Sequence, residues 1–174
     1  MTASPPEFTR LVPLARLGAE PLVQEIAASE AERAALARRF GLLTLDRLSA
    51  RVELARQGDE VILLNARFEA EFVQECVVSL DPLPGAVCES FALRYGPPEA
   101  EAGFAAVEDD IAFEPLSADM IDIGEAVAQE FSLALPSFPR RRGAVIEEGT
   151  AAPTPGEHPF AALHRLATRN RGGE

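Results

Sequence analysis

Residues 61–82, VILLNARFEAEFVQECVVSLDP, decide the fold. From Ala66 the apolar side chains recur at every second position, so that Ala66, Phe68, Ala70 and Phe72 share one face and Arg67, Glu69, Glu71 and Val73 share the other. A period of two belongs to a β-strand, and the split between apolar and charged positions means one packed face and one wet face. A helix would need a period near 3.6.

Working outward, Leu43, Leu45, Leu48, Ala50, Val52 and Leu54 form a similar run upstream, separated by QGDE, where Gly58 tolerates positive φ. Downstream, DPLPG at 81–85 carries Pro82, Pro84 and Gly85, which cannot continue a ladder, and Ala86 to Tyr95 is strand-like again. The expectation is a three-stranded antiparallel meander. Before it, Ser29 and Glu32 fit a capping box opening a helix over 30–40 that turns Ala31, Ala35 and Leu36 inward and ends at Gly41. Phe8 to Leu17 reads as a short strand with Pro13 at an edge or break.

Past the meander, 96–118 is rich in Pro, Gly, Glu and Asp and suits a mobile acidic loop around one apolar piece, Ile111 to Phe113. IDIGEAVAQEFSLALP at 121–136 reads as an amphipathic helix, with Asp122 and Glu125 at its start, a stripe of Ile123, Val127, Phe131 and Leu135, and Pro136 as its stop. The expected class is α+β: a curved antiparallel sheet, open or partly closed, covered by these helices in a single domain over 1–139. A linker over 140–158 and a terminal helix over 159–169 follow.

Charge is distributed unevenly along the 174 residues. The chain has 16 Arg, no Lys and 28 acids, a net charge of −12. Residues 1–68 hold 9 Arg and 9 acids, 69–130 hold 1 Arg and 15 acids, and 131–174 hold 6 Arg and 4 acids. That balance excludes a protein clamping nucleic acid with its whole surface and favours a basic partner for the middle segment. Glu99, Glu101, Glu108, Asp109 and Asp110 are the candidates for such an acidic partner surface, with a solvated face as the plain alternative. Arg140, Arg141 and Arg142, with Arg165, Arg169 and Arg171, form a basic tail suited to a few phosphate contacts, since a guanidinium can bind phosphate through a planar fork. No apolar run approaches the ~18 residues of a membrane span, and the opening segment has no signal-peptide pattern. The expectation is a cytoplasmic protein with no membrane partner.

Catalytic chemistry finds no foothold. Cys76 and Cys88 are separated by eleven residues where a metal knuckle needs two to four, so they read as small apolar side chains even with His158 and His164 available. A hydrolase would need titratable groups converging near Cys76, Cys88 or His164, and no local signature brings them together. Glu108, Asp109 and Asp110 lack the spacing of a calcium loop, and capping explains Asp122 with Glu125. There is no phosphate loop, nucleophile elbow or metalloprotease motif. No enzyme activity, cofactor, metal or small-molecule substrate is expected.

Four stretches resemble one family, the bacterial YceD proteins, described as large ribosomal RNA subunit accumulation proteins. ADMIDIGEAVAQEFSLALPSFP at 118–139 is similar to the family's acidic lead-in, its Asp-Leu-like pair at Asp122-Ile123, a helix ending in Glu130, and the L-A-L-P block with Leu133, Leu135 and Pro136. FEAEFVQECVVSLDP resembles the strand leading into a Cys-x-x-Cys knuckle, VCESFALRY a following strand, and HPFAALHRL, with Pro159 and Phe160, the closing motif. The chain departs from the pattern at the knuckle. Cys76 holds the first position but Ser79 stands three residues on, and FPRRRGAV lacks the later cysteines, so a metal bound there in other members has no site here. The resemblance implies a non-enzymatic role in accumulation of large-subunit rRNA and assembly of the large ribosomal subunit. Joined to the charge split, it suggests an acidic surface for a basic ribosomal protein and an Arg-bearing tail for rRNA. An acidic interaction adaptor unrelated to ribosomes is the alternative.

Overall fold

The computed structural model describes residues 7–58, 60–101, 111–116 and 118–145. Residues up to Arg142 belong to one compact unit. In chain order the elements are β1 (Leu11–Pro13), β2 (Leu22–Ala27), α1 (Glu30–Phe40), β3 (Thr44–Gln57), β4 (Val61–Glu75), β5 (Pro82–Gly96), β6 (Ala112–Pro115), β7 (Met120–Asp122) and α2 (Ile123–Ala134). The main sheet runs β2-β3-β4-β5-β6, and β1 pairs with β7 in a separate ribbon. The fold is the expected α+β class, with the meander at its centre. The sheet is open, with β2 and β6 as its edges, and β6 runs parallel to β5.

Side-chain alternation on β4 follows the sequence: Ala66, Phe68, Ala70 and Phe72 are all buried. On β3 the buried positions change parity, from Leu45 to Leu48, Ala50, Val52 and Leu54. A bulge between Leu45 and Arg47 absorbs the extra residue, which keeps both halves facing the core. Against this face α2 lays its stripe, burying Ile123, Val127 and Phe131. The Phe131 ring meets those of Phe40, Phe68 and Phe72 at centroid separations of 5.8, 6.3 and 5.7 Å, all edge-on. Such contacts add specificity to the area they bury.

The helix starts are those the sequence signals. Ser29 and Glu32 form the reciprocal capping box, and Gly41 takes the left-handed position that closes α1. At α2, Asp122 accepts from the Gly124 and Glu125 N–H groups, while Glu125 turns away to Arg39 at 2.7 Å instead of completing a box.

Several expectations are corrected. Only Leu11–Pro13 of the segment 8–17 is extended, because a 3-10 turn follows at Leu14–Arg16. Leu36 and Ala37 are the buried residues of α1, and Ala31 is exposed. Pro82 and Pro84 lie inside β5 and not in a turn. Among the described residues no strand lies beyond it before Leu93, so the missing prolyl N–H groups interrupt no ladder seen on that side. The reversal lies earlier, at 76–81, where Leu80 takes a φ of 61°. Strand β2 was not expected, and the apolar piece near 111–113 is the parallel edge strand β6.

Candidate binding surfaces

Of the acidic candidates, Glu99 and Glu101 are exposed beside the 3-10 turn Pro98–Ala100, and Glu108, Asp109 and Asp110 lie outside the described residues. A different trio gathers on the sheet. Glu89 of β5, Glu114 of β6 and Glu130 of α2 lie close enough that burial first, then the charges of Glu89 and Glu114, push the Glu130 carboxyl above its usual range. Burial, followed by Glu114 and Glu130, likewise pushes the Tyr95 hydroxyl up. None of the three carboxylates has an arginine partner among the described residues. Glu89 and Glu114 were not legible as a site, since Glu89 sits on the inward parity of β5, where alternation predicts an apolar residue.

Cys76 directly follows β4 and is fully buried. Its sulfur accepts the Ser79 N–H at 3.4 Å and the Arg141 N–H at 3.3 Å. These bonds, the Arg141 one foremost, lower the thiol to about 6 against the opposing effect of burial. The two backbone arms, 76–81 and 139–141, are joined further: the Val77 N–H donates to the Pro139 carbonyl at 2.9 Å and the Arg141 guanidinium meets Asp81 at 2.9 Å. Ser79, which stands where a second knuckle cysteine would, donates its hydroxyl to Asp81 at 2.9 Å. The two arms are thus tied by N–H···S bonds and one ion pair.

Cys88 does not approach Cys76. It is exposed on β5 opposite Glu69, seven residues before Cys76 on β4, which at ~3.3 Å per residue is ~23 Å along the strand. Arg140 and Arg142 are exposed, whereas Arg141 is committed to Asp81. Arg165, Arg169, Pro159, Phe160 and both histidines lie outside the described residues. Among the remaining motif positions, Asp122 caps α2, Leu133 is exposed, Leu135 packs on the core, and the Pro136 carbonyl accepts from the Gln74 amide at 3.1 Å. No helix among the described residues is long and apolar enough to cross a membrane.

The family model described as large ribosomal RNA subunit accumulation protein YceD matches residues 64–166, from the central strand through the L-A-L-P block to the closing motif. No curated protein and no solved structure matches the chain.

Proposed function

Because the chain belongs to the YceD family of large ribosomal RNA subunit accumulation proteins, we propose that it supports accumulation and maturation of large-subunit rRNA in the cytoplasm without catalysing a reaction. The family match over 64–166 carries this reading, since it takes in the acidic middle of the chain and the tail arginines up to Arg165. In it, a basic ribosomal protein is held by charge complementarity at Glu89, Glu114 and Glu130, with Glu99 and Glu101 nearby in sequence, and Arg140 and Arg142 contact rRNA. Acids in that arrangement, all exposed except the half-buried Glu130, suit capture of a polycation.

The test is a pull-down of the tagged chain from growing cells, with and without ribonuclease, reading out RNA and proteins together. Large-subunit rRNA that disappears on ribonuclease treatment while a basic ribosomal protein stays bound is the expected result. Recovery of neither would overturn the reading in favour of an adaptor unrelated to ribosomes.

A further inference from the structure

We propose that the wet face of the main sheet receives an RNA backbone phosphate between Arg51 and Arg67. The proposal rests on the reading that this chain works with large-subunit rRNA, but places a contact on the folded sheet instead of the tail. Arg51 of β3 lies directly opposite Arg67 of β4, which lies opposite Ser90 of β5. Their flanking neighbours Ala50, Val52, Ala66 and Phe68 are buried, so both arginines project to the solvent side.

Directly opposed residues on an antiparallel pair stand ~4.5–5.5 Å apart at Cβ, and like charges there are unfavourable. Nothing in the packing demands two arginines at this point. Arg51 reaches Glu25 at 3.2 Å, but the two side chains are 64% and 77% exposed, a setting in which an ion pair holds little. Arg67 meets no carboxylate among the described residues; its contact is the Cys88 sulfur at 3.1 Å, a weak acceptor. Three other arginines of the fold do meet carboxylates closely. Arg10 pairs with Glu32, Arg39 with Glu7 and Glu125, and Arg47 with Glu69 and Glu71.

Two hollows meet at the pair, of about 390 and 480 Å³, and both are lined by Arg51 and Arg67. The second also exposes Asn65 and Ser90, which add an amide and a hydroxyl donor. An anion between the two guanidinium groups would relieve their repulsion and accept from two planar forks. Glu25, Glu53 and Glu69 rim the hollows, so the contact is confined to one or two phosphates and depends on fork geometry more than on bulk charge. That is consistent with a chain whose net charge is −12.

The test uses the full chain and short transcripts tiling the large-subunit rRNA. Cys88 touches Arg67 and is exposed, so its alkylation by N-ethylmaleimide reports occupancy, with buried Cys76 as the internal control. Bound transcript should slow Cys88 alkylation severalfold. Arg51→Ala and Arg67→Ala should each weaken binding about tenfold and flatten the salt dependence by about one phosphate contact, and Arg67→Lys should recover only part. An Arg51→Ala, Arg67→Ala double variant that is folded by circular dichroism and binds with unchanged affinity and salt slope would overturn the site. So would protection of Cys88 by a phosphoserine peptide as strong as that by RNA, which would assign it to a phosphoprotein. Large-subunit rRNA levels in cells lacking the chain are read in parallel. Levels that fall without it and are fully restored by the double variant leave the proposed function standing and sink the phosphate site alone, and levels that never fall sink the function.

Discussion

Gly124 shows how one residue fixes the joint between α2 and the segment before β1. A Cβ there would collide with the Phe8 carbonyl oxygen and lie 3.0 Å from the Arg10 nitrogen, both backbone atoms that cannot swing aside. The close approach lets the Ile123 N–H reach the Arg10 carbonyl at 3.1 Å and the Arg10 N–H reach the Asp122 carboxylate at 2.7 Å. Gly124→Ala should therefore destabilise the chain by about 2–4 kcal/mol despite alanine's better helix propensity. Gly18→Ala, with open space around it, should stay within about 0.5 kcal/mol. Thermal unfolding of the two variants decides the matter: equal midpoints would mean the joint yields. In the sequence Gly124 is only a poor helix former in a first turn; the crowding that requires it comes from Phe8, more than a hundred residues away. Glu89 was hidden for a related reason, because its inward parity argues for an apolar residue until the strand's open edge is known.

At the scale of elements, what could be read from the sequence is what a single segment encodes. The capping box at Ser29 and Glu32, the left-handed Gly41, the alternation on β4 and the stripe of α2 are local signals, and all hold in the fold. What escaped depends on a neighbour: β2 is an edge strand defined by its pairing with β3, β6 by its parallel pairing with β5, and the prolines of β5 by the absence of a strand beyond them among the described residues. The spacing from Leu45 to Leu48 did carry the bulge, as a break in the period of two. α1 also has a tertiary anchor. Arg10 grips Glu32 through both terminal guanidinium nitrogens, at 2.7 and 3.0 Å, and holds its carboxyl down at about 2. A carboxyl lowered by folding stabilises above its unfolded pKa, near 4.3, and that contribution is lost as pH falls toward 2. Glu32→Gln keeps a residue able to complete the box while removing the charge, so it should cost about 1–2 kcal/mol at neutral pH. The gap between variant and wild type should close near pH 2. Urea unfolding at both pH values checks this, and a gap independent of pH would refute the ionic origin.

For the whole molecule, the sequence shows an acidic middle but not which acids folding neutralises. Arginines from the outer segments cross to it: Arg47 to Glu69 and Glu71, Arg39 to Glu125, and Arg141 to Asp81. Glu89, Glu114 and Glu130 receive none of these, although they converge from three elements; burial first, then the charges of Glu89 and Glu114, hold the Glu130 carboxyl above its usual range. A carboxyl raised by folding favours the native state when protonated, and that contribution fades as pH rises through its folded pKa. At neutral pH the ionised Glu130 carboxylate therefore works against the isolated chain, and a cationic partner seated beside it would offset that cost. Replacing all three by Gln should raise the melting midpoint by roughly 2–4 °C, the equivalent of about 1 kcal/mol for a chain of this size. The same change should reduce retention of basic ribosomal proteins and weaken its dependence on salt. Both readings come from one protein preparation, by thermal unfolding and by capture from lysate at graded ionic strength. A higher midpoint with undiminished capture would mean that the trio repels without serving the partner. A lower midpoint would mean that the three carboxylates hold the fold through contacts other than their mutual charge.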